Sequence, residues 1–172
     1  MPSSMSSKSW QNGQMDNITI RPATVADAPA LGAMVLDLLP YLTVHPQGLG
    51  AEEFITHVDA AAQLRYLRQA NFRYRLATRN GVLAGFVALR DNSHLFHLFV
   101  ARQWHGQGLG RRLWEQARDE ALAAGNPGEF TVNASDHALA MYTRFGFAPT
   151  GPRETQRGIA WTPMRCQVPQ AE

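Results

Sequence analysis

The stretch His105-Gly106-Gln107-Gly108-Leu109-Gly110-Arg111-Arg112 concentrates more chemistry than any other part of the chain. Three glycines at alternate positions remove three side chains and let backbone N–H groups approach an anion. Leu109 and Leu113 begin an apolar stripe at helical spacing, so the turn opens a helix whose N-terminus carries roughly half a positive charge. Arg111 and Arg112 add formal charge with a forked geometry suited to phosphate oxygens. The chemistry this predicts is phosphate binding at a glycine turn.

Two nucleotide-binding readings of the turn fail on spacing. A dinucleotide fold places G-x-G-x-x-G after the first strand of a βαβ unit and ends the next strand on an acidic residue. Here the pattern is G-x-G-x-G, well past the middle of the chain, and Glu129 begins the following strand instead of ending it. A P-loop needs Gly-Lys-Ser/Thr, which Leu109-Gly110-Arg111 lacks.

The elements that must position the turn follow from periodicity. Ile18 to Ala23 alternates as a short strand stopped by Pro22, and Thr24-Val25-Ala26-Asp27 is a capping signal. Leu31, Met34, Val35 and Leu38 then recur as a helix that ends before Pro40. Tyr41 to Gly50 reads as a loop, and Glu52 and Glu53 open a second helix with Phe54, Ile55 and Val58 toward the core. Phe72 to Thr78, Val82 to Leu89 and His94 to Val100 are three strands joined by Asn80-Gly81 and Asp91-Asn92-Ser93, hence antiparallel.

The helix after the turn carries Leu109, Leu113, Ala117, Ala121 and Ala124 on one stripe and stops at Gly125. Glu129 to Asn133 is a strand able to lie parallel to the one before the turn, because a helix carried the chain across. Asp136 to Arg144 is a short helix, Gly146-Phe147 opens a strand, and Ile159 to Arg165 closes the chain as an edge strand where Pro163 is tolerable. The expectation is a mixed α/β fold with a mostly antiparallel central sheet, in the order β-α-α-β-β-β-α-β-α-β-β. Residues 18–168 form one domain after a disordered Ser- and Gln-rich leader, 1–17.

Composition narrows the function classes. The chain has 172 residues, 45% hydrophobic and 17% charged, with a net charge of only +2, so no general field for nucleic acid or a membrane surface is present. Its basic residues are fifteen arginines and one lysine, Lys8. Cys166 is the single cysteine, which excludes an intrachain disulfide and makes a reducing cytoplasm the simplest compartment. No apolar run approaches membrane-spanning length, and no metal-ligand spacing occurs.

Four segments in order resemble the GCN5-related N-acetyltransferase (GNAT) family over nearly the whole chain, Ile18 to Arg165. They are Ile20-Arg21-Pro22-Ala23-Thr24 with Asp27; Leu98-Phe99-Val100 followed by the glycine turn; Val132-Asn133-Ala134-Ser135; and Ala138-x-x-x-Tyr142-x-x-Phe145-Gly146-Phe147. The resemblance implies an acetyl-CoA-dependent N-acetyltransferase acting on a primary amine of a small molecule or peptide, with a non-catalytic acyl-CoA-binding or sensing domain as the alternative. It implies that His105, Gly106, Gln107, Gly108, Leu109, Gly110 and Arg111 wrap the pyrophosphate of acetyl-CoA. His105 departs from the family pattern, which prefers Gln or Arg there. The family also splays the strand pair flanking the helix, which implies pantetheine contacts at Leu98, Phe99 and Val100, with Asn133 and Ser135 facing the same cleft. Homodimers are frequent in the family, although no seam in this sequence demands one.

Acetyl transfer to an amine requires a neutral nitrogen, a polarised carbonyl and a proton for the leaving thiolate. A lysine-like amine costs about 4.6 kcal/mol to deprotonate at pH 7. The resemblance implies Tyr142 as the acid that also touches the cofactor. For the base, His97 stands on the strand beside the carbonyl with a pKa suited to proton removal, its side chain opposite to those of Phe96 and Leu98, while His94 points to the other face. Glu129, His45 and water are the remaining candidates. The loop 41–50, Arg73, Arg75, the segment 153–161 and an aromatic wall of Trp161, Trp104 and Phe72 are the features placed to flank the acceptor.

Overall fold

The computed structural model describes residues 17–169; the expected leader lies outside the described residues except for Asn17. The chain opens with β1 (Thr19–Pro22) and a 3-10 turn, Val25–Asp27, leading into α1 (Ala28–Asp37). The Asp27 carboxylate accepts from the Thr24 N–H at 2.7 Å and from the Arg21 fork at 2.8 and 2.9 Å. Those bonds, led by Arg21, hold its pKa down to about 2.

Two short helices follow, α2 (Glu52–Thr56) and α3 (Ala60–Leu67), where the pattern predicts one. The break has a local cause: Asp59 caps the Ala62 N–H at 2.9 Å and starts a new helix. A Cβ on Gly32 of α1 would lie 2.3 Å from the Ala60 nitrogen, so α1 and α3 meet backbone to backbone.

The sheet is built from β2 (Phe72–Arg79), β3 (Val82–Arg90), β4 (His94–Val100), and then, after α4 (Leu109–Ala123), β5 (Glu129–Ala134). The short helix α5 (Leu139–Arg144) precedes β6 (Ala148–Pro149), β7 (Glu154–Gln156) and β8 (Ile159–Gln167). The strand order is β1-β2-β3-β4-β5-β8-β6, with β7 also paired to β8. The β4–β5 pair is parallel and the other pairs are antiparallel.

The terminal strand corrects one expectation. β8 is not an edge strand, because β5 covers one side while β6 and β7 cover two separate stretches of the other. Pro163 falls in the gap between those stretches, where its missing N–H costs nothing and its carbonyl accepts from Thr150 at 2.9 Å.

Two cores flank the sheet. One lies under α4, where Trp114 packs against Phe130 and Phe147 at centroid distances of 5.0 and 5.3 Å. The other gathers Leu31, Val35 and Val58 against Tyr74, Leu76 and Phe86. Among the described residues no helix is long and apolar enough to cross a membrane.

The register of β3 and β4 contains the feature that shapes the site. Ala88 pairs with His97 and Leu89 with Leu95, so Phe96 is an extra residue on β4, a bulge. The insertion rephases the strand. Phe96 and His97 both pack toward the second core, and His94 joins them there by bonding Thr131, whose neighbours Phe130 and Val132 turn to the α4 side. Strict alternation, which sets His94 and His97 on opposite faces and His97 opposite to Phe96, therefore does not hold.

Candidate active site

β4 and β5 pair at only two positions, His94↔Thr131 and Leu95↔Val132, and then diverge. The parting begins at the Phe96 bulge, which bends the strand. It leaves the β5-facing edge of Leu98, Phe99 and Val100 open toward Asn133 and Ser135. A cavity of about 830 Å³ passes through this opening and is lined by residues from both sides of the sheet.

At one end stands the glycine turn. Gly106 and Gly108 adopt φ of 74° and 84°, a left-handed backbone that side chains disfavour, and a Cβ on either would meet nothing within 4 Å. Gly108 caps α4, so the first N–H groups of the helix, those of Leu109, Gly110 and Arg111, point out of its end into the cavity. Arg111 lies over Phe145 at 5.0 Å and donates to the Arg144 carbonyl at 3.4 Å. His105 bonds backward, its Nε2 donating to the Val100 carbonyl at 2.7 Å, which ties the turn to the end of β4. Gln107 turns away from the cavity and donates to the Gln103 carbonyl at 2.9 Å.

At the middle, Leu98, Phe99, Asn133, Ser135 and Tyr142 line the opening. The Ser135 hydroxyl accepts from the Ala138 N–H at 3.3 Å in a turn, so α5 begins at Leu139, three residues later than its pattern predicts. Tyr142 is only 5% exposed, edge-on to Phe145 and Phe147, and burial raises its phenol well above the ordinary range. Among the described residues its hydroxyl has no hydrogen-bond partner.

The far end holds the histidines. The Gln63 amide nitrogen donates to the Val58 carbonyl at 3.0 Å, which fixes the amide's orientation, and its oxygen accepts from the Tyr74 hydroxyl at 2.7 Å. The second amide proton then points at His97 Nε2, 3.3 Å away. That ring nitrogen of His97 is thus engaged, and burial pushes its pKa down to about 3. His94, bonded to Thr131 Oγ1 at 2.8 Å, is held near 4 by burial and then by Arg90.

Other sequence candidates disperse. Arg73 donates to Asn92 at 2.9 Å and Arg75 pairs with Glu120 at 2.7 Å, and neither lines the cavity. Glu129 is engaged by Arg165, and His45 is likewise outside the lining. Of the expected aromatic wall, Trp161 and Trp104 line the cavity while Phe72 backs Tyr66 and Phe96 from behind. Tyr41 and Leu42 of the expected loop line it, and His57, Tyr66, Arg90 and His137 do so without having been signalled, because they come from separate elements with no shared spacing.

A clasp closes this end. Thr43 bridges Ile159, the Val44 N–H donates to the Gly158 carbonyl at 2.8 Å, and Arg157 pairs with Glu53. Gly158, at φ 80°, passes so near Gly50 that a Cβ would sit 2.5 Å from the Gly50 carbonyl carbon.

Comparison with known proteins agrees with this geometry. Residues 42–168 match the family described as acetyltransferase (GNAT) domain. The chain is 40% identical over 74 residues to a mycothiol acetyltransferase of Jonesia denitrificans, spanning 39% of this chain and 24% of that protein. It is 31% identical over 96 residues to an IAA acetyltransferase of Azospirillum brasilense, spanning 52% of this chain and 63% of that protein. The chain therefore matches less than two thirds of the length of these curated relatives. A PaiA N-acetyltransferase of Thermoplasma acidophilum in complex with coenzyme A shares the fold, with a TM-score of 0.74 at 16% identity over 88% of this chain and 99% of that one. With the splayed pair, the glycine turn and a family match over most of its length, the chain belongs to the GNAT acetyltransferase family.

Proposed function

We propose that the chain transfers the acetyl group of acetyl-CoA to a primary amine. The observation that carries this reading is the cavity that runs from the exposed N–H groups of α4 through the open β4–β5 pair, with the Tyr142 hydroxyl free inside it. Acetyl-CoA supplies an activated acyl carbon on a thiol leaving group. The glycine turn holds its pyrophosphate through backbone N–H groups, and Arg111 adds charge. His105 acts by bracing the turn against Val100. The open edge of β4 at Leu98 to Val100 takes the pantetheine as an added strand, and one of its N–H groups polarises the carbonyl.

As the C–N bond forms and the C–S bond breaks, Tyr142 donates its proton to the sulfur and regains one from the acceptor nitrogen through solvent. The burial that raises the phenol's pKa keeps Tyr142 protonated until thiolate charge develops beside it. His97 serves as a positioning residue and not as the base: its Nε2 lone pair is committed to Gln63, and protonation would bury a cation among aromatic rings.

Calorimetry with acetyl-CoA, ATP and NAD, followed by thiol release over a panel of amines, tests the proposal. Binding of acetyl-CoA with amine-dependent thiol release is expected. Preference for ATP or NAD overturns it, and acetyl-CoA binding without release leaves only the non-catalytic reading.

A further inference from the structure

The acceptor end of the cavity has a composition of its own. Tyr66 and Phe96 meet edge to face with centroids 4.9 Å apart, and Trp161, from β8, also lines the cavity. No Asp or Glu lines the cavity among the described residues. The nearby acids are engaged elsewhere, Glu53 with Arg157 and Asp59 as the cap of α3. One arginine lines this end, Arg90 at the end of β3, whose guanidinium lies over the Phe96 ring at 5.5 Å. Its Nε is 3.7 Å from Asp91, and its terminal nitrogens make no hydrogen bond among the described residues.

Charge decides what such a space admits. A polyamine or an aminoglycoside brings several ammonium groups, each of which loses hydration on entry and needs a carboxylate that the walls do not supply. Arg90 repels them further. A flat apolar body lies comfortably between aromatic walls, and a carboxylate matches the free side of a guanidinium fork.

Resting on the acetyl-transfer reading above, we infer that the acceptor is a primary amine on a flat apolar body bearing a carboxylate, as in an aromatic amino acid, and that Arg90 reads the carboxylate. The amine then points into the gap between β4 and β5, toward Tyr142. The α-amino group of such an acceptor is less basic than a lysine side chain, which suits an end whose histidines, His94 and His97, are both poor bases.

The test is thiol release by the full chain with phenylalanine, tryptophan, phenethylamine, tryptamine, spermidine and kanamycin. Each amino acid is expected to exceed its decarboxylated partner in kcat/KM by about tenfold, one good charge-assisted contact. Spermidine and kanamycin are expected about a hundredfold lower still. Arg90→Gln brings the ratio of amino acid to decarboxylated amine to near one, and Arg90→Lys restores part of it. A ratio that survives in Arg90→Gln, a preference for spermidine or kanamycin, or no release with any of these amines overturns the inference. Failure of acetyl-CoA to bind in calorimetry overturns instead the acetyl-transfer reading beneath it.

Discussion

At the glycine-turn end of the cavity, the groups that face a ligand are backbone N–H groups presented by left-handed Gly106 and Gly108 and by the first turn of α4. At the opposite end they are side chains, Tyr66 from α3, Arg90 from β3, Phe96 and His97 from β4 and Trp161 from β8, brought together from residues far apart in the chain. A backbone site depends on one contiguous stretch and suits one invariant group, a pyrophosphate in the function proposed above. A side-chain site changes with any of four elements, and this is where relatives of one fold diverge in what they accept.

Substitutions separate the two ends. Tyr142→Phe, at their junction, is expected to lower kcat by about a hundredfold while acetyl-CoA affinity changes little, read by single-turnover kinetics beside calorimetry. An unchanged chemical step removes Tyr142 as the acid. Gly158→Ala strikes the acceptor end: its methyl meets the Gly50 backbone at 2.5 Å, so about 2–3 kcal/mol of stability is expected to be lost, with a raised acceptor KM and unaltered acetyl-CoA affinity. Gly108→Ala strikes the other end. Its methyl has room but its φ of 84° is strained, at about 1–2 kcal/mol, so acetyl-CoA affinity falls about tenfold while acceptor KM holds.

The most gradual effect is one of pH. His97 and His94 resist protonation in the folded chain until about pH 3 and 4, whereas the unfolded chain takes up protons near pH 6.5. The unfolded state binds more protons in that window, so stability falls as pH drops from 6.5 toward 4, by at most about 1.4 kcal/mol per unit for His97. Asp27, depressed to about 2, adds its loss only below about pH 4. Urea titrations from pH 7 to 4 are expected to show the slope, and His97→Gln to flatten part of it.

Legibility followed the same division. The glycine turn, the two tight hairpins and, apart from its later start, the helix that carries Tyr142 are local patterns, and they form where the sequence predicts. The Phe96 bulge has no residue signature, since nothing in His94-Leu95-Phe96-His97 marks an inserted position, and it alone reverses the facing of His94. The tautomer of His97 depends on Gln63, 34 residues away, and so is invisible to any window along the chain. Arg73 and Arg75 look as available as Arg90 until Asn92 and Glu120 claim them. β8 reads as an edge because the strands that cover it, two and three residues long, are too short to carry a period.

The crossing of Gly50 and Gly158 sets a rule for how this chain can change. Two loops that touch without side chains have no slack in which one can be altered while the other stays fixed. Lengthening 43–51, or grafting onto it the corresponding loop of a relative, displaces the turn at 157–158 and with it Trp161. The loops over the acceptor therefore behave as a single cassette, to be exchanged together when a different amine is wanted.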